Sequence, residues 1–283
     1  MFLRIVFILL LCLPMMAEAV ETRTREIREF IYQDDVKNPG LLDGVTVRPL
    51  TGWGEVRFPT SEQPEDKNNT IVEGAFIQEV DLYQVMPNMF LTAEGSLNFV
   101  KDAQKYDFNN KLKPAAGIKL RYFPIDGVVI EPGVKYEWDY RLESDRTLQG
   151  FQAFTNWFAG WNLGKILRDD SVNYPGFTWG GVRYPGAQDG SEEDNLILEG
   201  AIEQGVDWYT FENNAVNSFV EVKYIFDREE YAWNNHMSYS VGSKLRIPML
   251  YFTIQPGVKY TYNRRFETGV SRHKAIAFMN WFF

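Results

Sequence analysis

The chain has a single cysteine, Cys12, and it lies ahead of every segment that reads as folded. A disulfide framework and a thiolate metal centre are therefore excluded, since both need several cysteines at set spacings. Only two histidines occur, His236 and His273, and no phosphate-loop or dinucleotide glycine pattern is present. Metal, nucleotide and histidine-based chemistry thus have few residues to work with, and no cofactor is expected. Long apolar runs are missing too: Ile5–Leu13 is far shorter than the ~20 residues a membrane-crossing helix needs. Positive charge is in deficit, with 29 Lys and Arg against 38 Asp and Glu and a net charge of −9. That balance argues against a nucleic-acid partner, which calls for a basic face.

What is abundant is aromatic. Phe, Trp and Tyr make up 16% of the chain, yet its mean hydropathy is only −0.31. A membrane β-barrel reconciles the two, because a polar lumen and polar loops dilute its lipid-facing half.

The N-terminus reads as a secretory signal at 1–19, with Arg4 as basic residue, Ile5–Leu13 as apolar stretch and Ala17-Glu18-Ala19 as cleavage site. Residues 20–50 form an N-terminal periplasmic segment. Ile27, Phe30 and Ile31 fit a short amphipathic helix there, set against the barrel rim, inside the lumen or free.

The informative stretch is Val129–Leu142. Ile130, Pro132, Val134, Tyr136, Trp138, Tyr140 and Leu142 fall on one face of an extended strand, and Glu131, Lys135, Glu137, Asp139 and Arg141 on the other. A soluble sheet neither exposes such an aromatic row nor buries so many charges. A barrel in lipid does both. The same pattern returns at Thr253–Glu267, sharing Pro-Gly-Val-Lys-Tyr with the first; Arg264 breaks the outer face near the strand end, where it can snorkel.

Other blocks recur in the same order. Trp53-Gly54-Glu55-Val56-Arg57 matches Trp179-Gly180-Gly181-Val182-Arg183, Lys119-Leu120-Arg121 matches Lys244-Leu245-Arg246, and Phe154–Phe158 matches Phe278–Phe282. Ordered self-similarity of this kind implies duplication. The expected fold is an all-β antiparallel transmembrane β-barrel over 51–283, with twelve strands in two six-stranded repeats at about 51–160 and 177–283. Strands are expected near 51–59, 70–84, 89–101, 113–123, 128–142 and 149–159, then 177–185, 196–210, 217–227, 236–247, 251–266 and 273–283. Polar connections alternate with tight turns such as Val85–Asn88, Pro124–Gly127 and Ile247–Leu250. The long link between repeats has room for a short helix at Leu163–Leu167.

Inward positions are the candidate site. Glu73, Glu79, Asp81, Glu199, Glu203 and Asp207 place acids on the second strand of each repeat. Lys119, Arg121, Lys135, Arg141, Lys244, Arg246, Lys259 and Arg265 place bases on the fourth and fifth. Two readings stay open: a charge network that holds the barrel, or a narrow path with an acidic and a basic wall for a hydrated solute such as a saccharide chain. His236 and Ser238 on one strand resemble the His-x-Ser pair of outer-membrane lipid A deacylases, implying a lipid esterase, though the facing of His236 is ambiguous. No catalytic or metal-binding residue is assigned. Ser271-Arg272-His273 reads as a surface loop; Trp53, Trp138, Trp157, Trp179, Trp208 and Trp281 could serve as carbohydrate platforms, but most of them read as membrane-interface girdle.

Phe283 ends the sequence, with Trp281, Met279, Ala277 and Ala275 alternating back from it. This resembles the sorting signal of Gram-negative outer-membrane proteins, implying outer-membrane lipid and the barrel-assembly machinery as partners. Gly242–Arg246, Pro256–Arg265 and Ala275–Phe283 also resemble the C-terminal barrels of phage-adsorption and exopolysaccharide-export proteins. That resemblance implies a narrow export pore with a periplasmic partner, or else a non-conducting, surface-binding barrel.

Overall fold

The computed structural model describes residues 45–58, 69–104, 110–163, 173–186, 194–231 and 234–283. The leader, residues 20–44 of the segment after it and all but Leu163 of the helix expected in the inter-repeat link lie outside them.

Every named element is a strand. These are β1 (Thr46–Val47), β2 (Thr51–Phe58), β3 (Ile71–Met86), β4 (Met89–Asp102), β5 (Lys111–Tyr122), β6 (Val128–Arg141) and β7 (Arg146–Asn162), followed by β8 (Pro175–Tyr184), β9 (Ile197–Phe211), β10 (Asn214–Asp227), β11 (His236–Pro248), β12 (Thr253–Arg265) and β13 (Ser271–Phe282). Each pairs antiparallel with its sequence neighbours from β2 onward, and β13 pairs back onto β2 from Ala277↔Phe58 to Phe282↔Trp53. Reciprocal backbone bonds between Gly52 and Phe283, at 2.8 and 3.0 Å, complete the seam. The sheet is thus a closed twelve-stranded barrel, and closure leaves no unpaired strand edge to template aggregation. β1 is extra. It pairs with Val80 and Asp81 of β3, in line with β2, which pairs with residues 71–77 of that strand.

Three boundaries differ from the sequence reading. β3 runs through Val85 and Met86, so Pro87-Asn88 alone turns the chain. β11 continues to Pro248, moving the next turn to residues 249–252. Ser271-Arg272-His273 opens β13 rather than sitting in a loop, and His273 lies against Tyr262 with ring centroids 5.0 Å apart.

Polarity is inverted relative to a soluble protein. Outward residues such as Val134, Phe151, Val220, Val241, Val258 and Tyr260 are exposed, while inward Lys119, Arg121, Glu137 and Asp139 are buried. Such an apolar belt around a charged interior is the distribution of a transmembrane barrel. Within the belt, Trp281 lies over Gly54 and Trp157 over Gly180, so closely that a Cβ on either glycine would overlap the indole. Small residues here let the ring cover the opposing backbone, a device that stabilises strand pairs.

Trp53 and Trp179 are corrections to the girdle reading. Trp53 pairs with Ala75 and shares the inward register of Glu55 and Arg57; Trp179 pairs with Ala201 and shares that of Gly181 and Arg183. Strand parity decides this, not residue type. An aromatic four positions from an inward Arg in a regular strand must also face inward.

Candidate functional site in the barrel lumen

The lumen is lined by long charged side chains, and neighbouring strands bring opposite signs within reach. Lys119 on β5 is the hub. Its Nζ meets Glu79 of β3 at 2.5 Å, Glu94 of β4 at 2.6 Å and Glu131 of β6 at 3.2 Å, with its side chain 3% exposed. Arg121, two residues on, pairs with the same Glu79 and reaches Glu131 at 2.9 Å. Asp81 extends the network, accepting from Arg48 at 2.5 Å and from Thr92 Oγ1 at 2.7 Å. A buried cation needs compensation of this density, since unpaired charge in such a place costs several kcal/mol.

The second half of the barrel carries a thinner version. Lys244 donates to Glu203 at 2.5 Å, and Arg246 to Asp207 at 2.5 Å. Asp207 also accepts from Asn217 Nδ2 at 2.8 Å, as Asp81 does from Thr92. Arg57 pairs with Glu73, and Arg183 with Glu199. Lys135 reaches Glu137 at 3.1 Å and lies 5.9 Å from the centre of the Phe154 ring; Lys259 reaches Glu221 at 3.1 Å and lies 5.3 Å from that of Phe278. Arg141 contacts Asp139 at 3.3 Å, and Arg265 stands opposite His236 across the β11–β12 pair.

The cations therefore sit between carboxylates, and separate acidic and basic walls do not form. The cause is strand adjacency: β6 presents Glu131 and Glu137 on the same face as Lys135, and β4 brings Glu94 to the gap between Glu79 and Lys119. Glu94, Glu131, Glu221, Arg57 and Arg183 are absent from the sequence-based site, although their alternation with Thr92, Lys135, Phe219, Glu55 and Gly181 marks them as inward. Apolar side chains also turn inward. Phe219, Ile276 and Phe278 form a buried cluster, with the two rings 6.1 Å apart and Lys244 lying 4.7 Å from the Phe219 ring centre. The rings join β10 and β13, which lie three strands apart along the sheet.

His236 and Ser238 both take the inward register, paired with Ile225 and Lys223. Ser238 Oγ accepts a hydrogen bond from Asn263 Nδ2 at 2.8 Å. Phe283 and Trp281 face outward, the Phe283 ring lying 5.5 Å from that of Phe76. Among the described residues no group of His, Cys, Asp and Glu is arranged to hold a metal ion.

Asparagines anchor the strand ends. Asn69 Oδ1 accepts from the backbone N–H of Ala103 and Gln104, and Asn195 Oδ1 from those of Arg228 and Glu229. Asn110 and Asn235 exchange bonds with Asp102 and Asp227 in the same way.

No protein-family model matches the chain, and no curated protein matches it either. Among solved structures it is similar to LpxR from Salmonella typhimurium, at 9% identity and TM-score 0.38 over 82% of this chain and 100% of that one. It is also similar to the β domain of the Bordetella autotransporter BrkA, at 9% identity and TM-score 0.37 over 85% and 98% of the two chains. A bacterial polysaccharide outer membrane secretin aligns at 11% identity and TM-score 0.35 over 86% and 99%. Likeness at this level carries no functional argument; the barrel rests on the strand pairing itself.

Proposed function

We propose that this chain is an outer-membrane β-barrel of a Gram-negative bacterium whose lumen is shut at mid-height by its own side chains, a structural or surface-binding barrel rather than an open export pore. The observation that carries the reading is the burial of Lys119 among Glu79, Glu94 and Glu131, on the far side of the lumen from the Phe219–Ile276–Phe278 cluster. Residues lining an open aqueous bore would be hydrated instead. Short turns lie at one end, at Pro87-Asn88 and Glu212-Asn213, and this is the periplasmic end by the usual asymmetry of such barrels. Paired contacts at Arg57–Glu73 and Arg183–Glu199 support descent of the two halves from one six-stranded unit.

A signal peptide, insertion by the barrel-assembly machinery through the outward Phe283 and Trp281, and contact with outer-membrane lipid complete the proposal. It assigns no enzymatic role to His236 and Ser238, and it needs no periplasmic export partner. Single-channel recording of the refolded protein in planar bilayers tests it. Silent membranes are expected; stable, discrete conductance steps would overturn the reading in favour of a narrow polar channel.

A further inference from the structure

We propose that the lumen cleft beside Gly181 binds a neutral, polyhydroxylated solute no larger than one sugar ring. The cleft measures ≈ 120 Å³. Its charged lining is balanced: Glu94 and Glu199 supply two carboxylates, Lys135 and Arg183 two cations. Each already has a partner, in Lys119, Arg183, Glu137 and Glu199 respectively. A ligand with net charge would find no uncompensated opposite charge here and would lose its hydration for nothing. A neutral ligand rich in hydroxyls keeps its hydrogen bonds, because carboxylates accept from hydroxyls while guanidinium, ammonium and amide N–H groups donate to them. Gln152 and Asn156 add those amides, and the Phe154 ring adds an apolar wall for C–H groups.

The opposite wall shows why the space is open. Gly181 stands where the matching block has Glu55, and Gln152 where it has Ile276. Glu94 lies between Glu79 and Gly117 in the sheet as Phe219 lies between Gly205 and Gly242. All three differences remove bulk or apolar surface from one wall only. On the other, Phe219, Ile276 and Phe278 close together and Glu55 is half-buried against Arg57. An engineered apolar cavity of about 150 Å³ admits benzene, so a polar one of this size suits a small polyol or part of one sugar ring.

The test is titration calorimetry on the refolded barrel in detergent, with glycerol, erythritol, glucose and glucuronate as probes. Saturable binding of at least one neutral polyol is expected, with glucuronate at least about tenfold weaker than glucose. Gly181→Glu, copying the opposite wall, should weaken binding by about tenfold or more, with heat-modifiable gel migration as the folding control. If that variant does not fold, Gln152→Ile, copying Ile276, serves in its place. No saturable heat with any neutral probe, equal binding in a folded variant, or tighter binding of glucuronate would overturn the proposal. Conductance is a separate readout: a conducting barrel that binds glucose refutes the shut lumen alone, and a silent barrel that binds no polyol refutes this site alone.

Discussion

The first half of the barrel, β2–β7, and the second, β8–β13, solve one packing problem with different chemistry. Both line the lumen of a barrel intermediate in width between the filled eight-stranded kind and the wide porins. The first half does so with charge, stacking Lys119 and Arg121 among three carboxylates. Among the described residues the second gives Lys244 and Arg246 one ion-pair partner each, and it adds the apolar cluster of Phe219, Ile276 and Phe278. Charge networks are intolerant of losing a member, whereas apolar clusters lose roughly in proportion to the atoms removed. The halves should therefore fail differently. Lys119→Met is expected to be the most damaging change, costing about 3–5 kcal/mol, because Glu94 loses its cation and Glu79 and Glu131 are left to share Arg121. Lys244→Met leaves only Glu203 short and should cost about 1–3 kcal/mol. Urea unfolding in micelles would measure both, and equal losses would erase the contrast.

Aromatic truncation sharpens the comparison from the other side. Phe278 packs in the apolar cluster, so Phe278→Ala should cost about 3 kcal/mol or more. Phe154 borders the cleft and has no such cluster around it, so Phe154→Ala should cost clearly less. An equal penalty would mean that the cleft is as tightly packed as the opposite wall.

The strand alternation made most of this architecture legible in advance. A period of two with Tyr136, Trp138 and Tyr140 outward and Lys135, Glu137 and Asp139 inward has one solution in lipid, and β6 takes it. The ion-pair partners were not legible to the same degree. Parity places Glu94 inward, but its contact with Lys119 depends on the β4–β5 register that pairs Thr92 with Lys119, which alternation along one strand does not give. β1 escaped notice because two residues, Thr46 and Val47, are too few to show a period. For Trp53 and Trp179 residue type points to the interface and strand parity points inward, and the alternation with Arg57 and Arg183 decides for parity. Phe219 and Ile276 could be placed facing in by the same count, but no count along one strand tells that side chains of β10 and β13 meet.

Where the halves agree, substitutions should agree too. Gly54→Val and Gly180→Val each drive a side chain into an indole, Trp281 in one case and Trp157 in the other. Both should cost about 1–3 kcal/mol, the usual range for overpacking, with the two values close to each other. Asn69→Ala and Asn195→Ala each remove an acceptor that holds two backbone N–H groups at a strand end, and each should cost about 1–2 kcal/mol. Thermal gel-shift midpoints would rank all four. A large difference within either pair would show that the matching contacts sit in unequal surroundings.

The smallest effect should come from an ion pair that looks like the hub but lacks its setting. Lys101 meets Glu143 at 3.0 Å, a distance close to those around Lys119, yet the Lys101 side chain is 53% exposed. Water reaches both groups, so removing Lys101 strands no buried charge on Glu143, whose side chain is 28% exposed, and holding the long lysine in place has an entropic cost. Lys101→Ala should therefore shift stability by no more than about 0.5 kcal/mol, whereas the hub variant loses several times that. The two cations differ in burial and in the number of carboxylates they serve, so the ratio of their effects measures what the buried, many-partnered setting adds to an ion pair of ordinary length. A Lys101→Ala penalty approaching that of Lys119→Met would mean that distance rather than desolvation sets the strength of these pairs, and the closed-lumen argument built on burial would lose its footing.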